Sequence, residues 1–137
     1  NQLHRFQEPP RGKGDRMMET LWSDPYDGRG VLPNRRGGNT IVFGSDVTEK
    51  FCIRNGLARV IRSHEVVDAG VATMHQGRLV TVFSAPNYVD RGKNLGAVVV
   101  FVGEKMSHLQ FSHSPHPDLP PMAYMKSVKK KQLRSRL

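Results

Sequence analysis

Three short clusters in this sequence contain side chains that can bind phosphate or a metal ion. Arg35 and Arg36 stand directly before two glycines; a guanidinium can donate two hydrogen bonds to phosphate, and glycine lets the backbone come close. His64 follows a short apolar run, and a neutral imidazole is a good ligand for manganese, iron or zinc. Tyr88 offers a phenol just after a turn stiffened by proline. These residue types indicate phosphate or metal chemistry.

Each cluster taken alone also fits a role without chemistry. An arginine on a glycine-rich loop is commonly just solvated, a lone histidine commonly makes structural hydrogen bonds, and a tyrosine at a strand end commonly packs. His113 and His116 have an i, i+3 spacing, but on a proline-rich segment we expect surface histidines rather than a metal pair. Cys52 is the only cysteine, so an internal disulfide is excluded, and its apolar helical surroundings predict a core residue.

Two helices and a long loop are predicted in the first half of the chain. Asp15 is placed to cap a short helix over residues 16–21. Asp46 begins a capping-box pattern and Gly56 is a natural C-terminal stop, which predicts a second helix between them. Residues 23–42 are rich in glycine, proline and aspartate, and they predict a long loop without regular structure.

Strands are predicted after the second helix. A strand is predicted from Leu57, in which Val60 and Ile61 form a short apolar run just before the His64 cluster. Residues 71–75 and 78–84 are separated by two turn residues and predict a hairpin. Residues 97–102 are apolar without interruption, as in an interior strand, whereas residues 106–111 alternate as an outer strand would.

The positive charge of the chain is concentrated towards one end. The formal net charge is +9, but six of the 21 basic residues follow Asp118, the last acidic residue. The preceding part is only mildly basic, and it lacks a basic stripe with interleaved aromatic side chains, which argues against nucleic acid as a partner. No apolar run approaches the roughly 18–20 residues that cross a bilayer, so we expect no membrane partner either.

Four blocks of the sequence occur in a distinctive order. They are Leu21-Trp22-Ser23-Asp24-Pro25, Arg36-Gly37 through Phe43-Gly44, Ile61-Arg62-Ser63-His64-Glu65 and Thr81-Val82-Phe83-Ser84-Ala85-Pro86-Asn87-Tyr88. With Asn94 and Gly96-Ala97 after them, they resemble the C-terminal signature blocks of the phosphoprotein phosphatase family of metal-dependent serine/threonine phosphatases. The stretch from His116 to Tyr124 is similar to the end of the type-5, TPR-containing branch, and the EF-hand branch is the nearest alternative.

The resemblance implies an α/β fold class, a metallophosphoesterase-type β-sandwich flanked by helices, of which this chain would be the C-terminal, strand-rich portion. In that family two metal ions activate a bridging hydroxide that attacks phosphorus in line. The family's last metal-ligand histidine falls on His64, its phosphate-binding arginine on Arg36 and the tyrosine beside its site on Tyr88. The segment after Arg36 is one residue longer than usual, which leaves Arg35 as the alternative phosphate contact.

The resemblance also implies that much of a catalytic site lies elsewhere. The Gly-Asp-x-His, Gly-Asn-His-Glu and His-Gly-Gly blocks, which carry the family's other metal ligands and its general acid, do not occur here and are expected before Asn1. We therefore expect no activity from this chain alone. The implied partners are a phosphoprotein substrate, the missing N-terminal half of the catalytic domain and TPR-linked chaperones. The alternative is an inactive fragment or regulatory homologue that acts as a protein-interaction module.

The end of the chain predicts a separate segment. We expect the catalytic-domain portion to cover residues 1–128, with a last short helix at 122–128, and residues 129–137 to form a basic mobile tail. A single cysteine and the lack of a signal peptide predict a cytoplasmic and/or nuclear location. Ser135-Arg136-Leu137 resembles the C-terminal address of peroxisome-type organelles, which is the alternative location.

Overall fold

The computed structural model describes residues 16–36 and 40–115. The predicted helix at 122–128, the basic tail, the domain boundary after residue 128 and His116 lie outside these residues. In the part of the chain that is described, no helix is long and apolar enough to span a bilayer.

The first half of the described chain contains a helix and a small sheet. Helix α1 is Arg16–Trp22, and strands β1 (Asp24–Pro25), β2 (Val31–Pro33) and β3 (Ile41–Phe43) follow. The strand order is β1-β3-β2, with β1 parallel and β2 antiparallel to β3. The predicted loop at 23–42 is therefore wrong as a structureless segment. Its strands are only two or three residues long and pair across the loop, so no periodic pattern marks them.

Helix α2 (Ser45–Asn55) ends as predicted and begins differently. Gly56 has φ 62°, a left-handed conformation that glycine tolerates, and its N–H closes the last turn, so the predicted stop is confirmed. The predicted capping box is wrong, because the N-cap is Gly44 and no side chain caps it. Asp46 instead accepts a hydrogen bond from the Gly30 N–H at 2.7 Å, which ties the first turn of α2 to the segment before β2.

A second sheet follows α2. Strands β4 (Val60–Arg62), β5 (Val71–Met74) and β6 (Leu79–Val82) have the order β4-β6-β5, and a turn at His75–Gly77 joins the last two. Strand β4 is parallel to β6, and β5 is antiparallel to it, which confirms the predicted hairpin. The buried apolar side chains lie on α2, on the central strand β6 and at the start of the next strand: Cys52, Leu79, Val80 and Ala97.

The last two strands form a hairpin of their own. Strands β7 (Gly96–Val102) and β8 (Lys105–Phe111) pair antiparallel along their whole length. The N–H of Ala97 donates to the oxygen of Phe83 at 3.0 Å, so β7 starts against the end of β6. Only Gly96 and Ala97 of β7 are buried, and Phe101 is 56% exposed. The prediction of an interior strand at 97–102 is therefore wrong for its outer half, because no described element covers that part.

Candidate functional site

Two of the predicted site residues come together where α1, β1 and the turns after β2 and β4 meet. Arg36 lies in the turn after β2, and His64 lies two residues beyond β4. Nη1 of Arg36 donates to the main-chain oxygen of His64 at 2.9 Å. The same nitrogen donates to both carboxylate oxygens of Asp24, at 2.8 and 3.2 Å. A contact between residues 28 positions apart therefore joins the arginine and histidine clusters.

Asp24 is the hub of this arrangement. The residue is only 5% exposed, and it accepts from Arg36, from Arg62 Nη2 at 2.9 Å and from Asn34 Nδ2 at 2.9 Å. A buried carboxylate is tolerated only when it is paired and hydrogen-bonded, and here two guanidinium groups supply the opposite charge. Sequence reasoning missed Asp24 and Arg62 as site residues. Their signal was their membership of the Trp-Ser-Asp-Pro and Arg-Ser-His-Glu blocks.

Glu65 balances the second arginine. Its Oε2 lies 2.6 Å from Nη1 of Arg62, so the two carboxylates balance the charge of the two arginines when both are ionised. Burial raises the pKa of the Glu65 carboxyl and the nearby Asp24 charge adds to the rise, while Arg62 acts against it.

His64 has an unusual backbone and an anchored ring. Its φ is 78°, in the left-handed region that residues with a Cβ rarely adopt. Nδ1 lies 2.8 Å from the main-chain oxygen of Leu21, and the ring packs edge-on to Trp22 with centroids 4.4 Å apart. Because a carbonyl oxygen only accepts, the proton of the neutral imidazole lies on Nδ1 in this contact. In that tautomer the lone pair of Nε2 on this exposed residue is available to a ligand.

Arg36 is fixed without using all of its donors. Its guanidinium carbon lies 5.0 Å from the centre of the Trp22 ring, and the hydrogen bonds that the guanidinium donates to described residues all use Nη1. Nη2 and Nε donate no hydrogen bond to a residue in 16–36 or 40–115. The neighbouring Arg35 is exposed, and no ion pair joins it to another residue within 16–36 or 40–115. Arg36 is therefore the arginine that the fold holds beside His64.

Tyr88 lies on a different segment, after β6. It begins a short turn at Tyr88–Asp90, its ring packs edge-on to Phe83 with centroids 5.2 Å apart, and its N–H donates to Asn94 Oδ1 at 2.8 Å. The ring is exposed on its other side. Tyr88 makes no hydrogen bond or ring contact with Arg36 or His64. Among the described residues, this predicted site residue therefore lies outside the cluster.

The cluster suits one part of a metal site. A single imidazole oriented by a carbonyl is the usual arrangement of a metal-ligating histidine, and His64 fits it. Among residues 16–36 and 40–115, however, no group of three or more His, Cys, Asp or Glu side chains could hold a metal ion. His64 can contribute one ligand, and a complete two-metal site needs several more.

Comparison with known proteins gives a consistent set of relatives. No protein-family model matches the chain. Serine/threonine-protein phosphatase T of Schizosaccharomyces pombe is 47% identical over 123 residues, which cover 89% of this chain and 26% of that protein. Serine/threonine-protein phosphatase 5 of Solanum lycopersicum is 48% identical over 124 residues, 89% of this chain and 22% of that protein. The human protein of the same name is 40% identical over 128 residues, 92% and 25% of the two chains.

A solved structure agrees with these sequences. It is a protein serine/threonine phosphatase from Saccharomyces cerevisiae, 39% identical to this chain, with a TM-score of 0.72. The match covers 88% of this chain and 40% of the yeast chain. It confirms the predicted α/β fold class of a phosphatase catalytic-domain portion. The chain spans about a quarter of the length of the curated relatives that it matches.

Proposed function

The chain is homologous to the serine/threonine-protein phosphatases named 5 and T over about nine-tenths of its length, and we propose that it is the C-terminal part of such a catalytic domain. The reaction is hydrolysis of phosphoserine and phosphothreonine esters in a phosphoprotein substrate. The observation that carries this proposal is the contact of Arg36 with His64, because it joins a phosphate-binding side chain to a metal-binding one.

Each of three side chains has a distinct role. His64 would hold one of two metal ions through Nε2, with manganese, iron or zinc as the candidates. When bound, such a metal pair supplies a hydroxide at neutral pH. Arg36 binds the phosphoryl oxygens through Nη2 and Nε and stabilises the charge that develops on them. Tyr88 presents its hydroxyl from the segment after β6, near the substrate.

The remaining ligands and the general acid come, in this proposal, from the preceding part of a phosphatase catalytic domain. That part is either upstream in the same polypeptide or on a separate one. The support is that His64 supplies one ligand where a two-metal site needs several, and that the related yeast chain is covered only to 40%. TPR-linked chaperones are the proposed partners of a complete protein of this type.

A fusion protein tests the proposal. It joins the 137-residue chain to the preceding part of the catalytic domain of the related yeast phosphatase. We expect the fusion protein to hydrolyse p-nitrophenyl phosphate and a phosphoserine peptide in the presence of manganese, and the chain alone to hydrolyse neither. His64→Ala should abolish both activities and lower the bound metal, whereas His113→Ala, at an exposed histidine outside the cluster, should change neither.

A non-catalytic interaction module is the second candidate, and an apolar surface that the described residues leave open to solvent favours it. A cavity of about 380 Å³ between α1, β3, α2 and β4 is lined mainly by apolar side chains and opens to solvent. A fusion protein that folds but neither binds metal nor turns over substrate would support this function. Activity and metal content that survive His64→Ala would contradict the phosphatase assignment at its central residue.

A further inference from the structure

Arg62 connects the two segments that form the site. It is the last residue of β4, and only 11% of its side chain is exposed. Nη2 donates to Asp24 Oδ1 at 2.9 Å and to the main-chain oxygen of Ser23 at 3.1 Å. Nη1 donates to Glu65 Oε2 at 2.6 Å. One planar group therefore fastens the end of α1 and the start of β1 to the turn that follows β4.

His64 lies inside the turn that this guanidinium closes. A left-handed backbone at a residue with a Cβ costs free energy, and it persists only where the surroundings impose it. The ring is anchored to Leu21, on the segment that Arg62 grips through Ser23 and Asp24. The distance between the Leu21 oxygen and the His64 ring thus depends on Arg62, although the guanidinium hydrogen-bonds to Ser23, Asp24 and Glu65 and not to Leu21 or His64.

Asp24 links the position of Arg36 to that of Arg62. Its Oδ1 accepts from Arg62 at 2.9 Å and from Arg36 at 2.8 Å, so the position of one guanidinium limits that of the other. A planar guanidinium can span two carboxylates in a fixed geometry, which the flexible point charge of a lysine cannot do.

We propose that Arg62 is a positioning residue that, by clamping Asp24 and Glu65, keeps the His64 imidazole in the Nδ1–H tautomer and keeps Arg36 beside it. The consequence for catalysis rests on the proposed function. The consequence for the tautomer does not, because it follows from the contacts of this chain alone. Arg62 itself binds neither substrate nor metal.

The tautomer of His64 is the direct test. The fusion protein is labelled with ¹⁵N-histidine and freed of metal by a chelator, and the His64 signals are identified by their disappearance in His64→Gln. In the unsubstituted protein we expect a protonated Nδ1 and an unprotonated Nε2. In Arg62→Met the Leu21 carbonyl is no longer held against the ring, so both nitrogens should shift towards the averaged values of an exchanging imidazole.

A matched control comes from Arg78. This arginine precedes β6 and pairs with Glu49 at 3.8 Å on the surface, away from the cluster. Arg78→Met should leave the His64 tautomer unchanged. Arg62→Lys should shift the His64 nitrogen signals by an intermediate amount. If Arg62→Met does not fold, Arg62→Lys is the variant that tests the proposal. A His64 tautomer that stays the same in folded Arg62→Met, or in Arg62→Lys where the first does not fold, overturns the proposal.

Metal affinity gives a second readout. Loss of a residue that orients a metal ligand typically weakens metal binding or activity about 10–100-fold. Arg62→Met should therefore raise the metal concentration for half-maximal activity by roughly that factor, and Arg78→Met should not. A fusion protein with the expected tautomer shift but without metal binding or turnover would overturn the proposed function and support the positioning role. A fusion protein that is active and whose His64 tautomer is unchanged in Arg62→Met would support the proposed function and overturn the positioning role.

Discussion

The guanidinium of Arg36 is held through Nη1, and its other two nitrogens donate no hydrogen bond to a described residue. The contacts with Asp24 and His64 use Nη1, and the Trp22 ring supports the group from one face. Bidentate recognition of phosphate needs two further N–H donors in a fixed plane, and Nη2 and Nε supply them. Among the described residues none supports the exposed Arg35 in this way, which is why we propose Arg36 as the phosphate contact.

Arginine substitutions in the fusion protein separate the two candidates. Loss of a charge-assisted bidentate contact should cost about 2–4 kcal/mol in the transition state, which lowers kcat/KM by roughly two to three orders of magnitude in Arg36→Ala. Arg36→Lys should recover only part of this, because an ammonium cannot fork across two oxygens. Arg35→Ala serves as the matched control and should change kcat/KM little. A severe loss in Arg35→Ala with near-normal turnover in Arg36→Ala would reverse the assignment.

The sequence identifies the residues that could touch a ligand better than the residues that hold them. Arg36 and His64 stand out by type and by their neighbours. Asp24 reads as an ordinary loop or capping aspartate, and Arg62 reads as the polar end of a strand. Their importance comes from contacts across 12 and 38 positions, Arg36 with Asp24 and Arg62 with Asp24, and single-sequence patterns do not encode such contacts.

At the scale of elements, the predictions succeed where local signals decide and fail where distant pairing does. The left-handed Gly56 and the hairpin of β5 and β6 follow from neighbouring residues and are confirmed. The sheet of β1, β2 and β3 depends on pairing between short segments up to 18 residues apart, such as Asp24 with Val42, so it was missed. The start of α2 was misplaced because Asp46 has a tertiary partner in place of a capping role.

The tertiary contact of Asp46 predicts a dependence of stability on pH. The pKa of Asp46 is lowered from 3.8, chiefly by the hydrogen bond from Gly30, with burial acting in the opposite direction. A lowered folded-state pKa stabilises the protein above the unfolded value near 3.8, and this contribution is lost as the pH falls through the folded value. The melting temperature of the fusion protein should therefore drop in this acidic range.

Asparagine at this position removes the titrating group. Asp46→Asn should lower the melting temperature at pH 7 and flatten its decline in acid, because the neutral side chain gains and loses no charge. Asp27→Asn is the control. Asp27 is an exposed aspartate in the segment that contains Gly30, and this variant should have the same melting temperature as the parent at each pH. Parallel acid profiles for Asp46→Asn and the parent, measured by circular dichroism melts, would contradict the role of the Gly30 contact.

At the scale of the whole molecule, the described residues leave apolar surface uncovered. The 380 Å³ cavity is lined by side chains such as Phe51 and Ile61, which are 51% and 42% exposed. Strand β4 pairs with β6 on one edge, and within the described part of the chain nothing pairs with its other edge. An open apolar cavity beside an unpaired strand edge favours association with other chains.

The chain alone should therefore self-associate and bind a hydrophobic dye, and the fusion protein should do neither, because we expect the preceding part of the domain to cover the cavity. Phe51→Glu should reduce dye binding and the apparent mass in light scattering, since Phe51 lines the cavity. Ile53→Glu is the matched control on the same helix, at an apolar side chain that is 68% exposed and does not line the cavity, so it should have a smaller effect. A monodisperse monomer with a cooperative melt and no dye binding would contradict this prediction. It would show that the isolated chain buries the apolar side chains of the cavity without a partner.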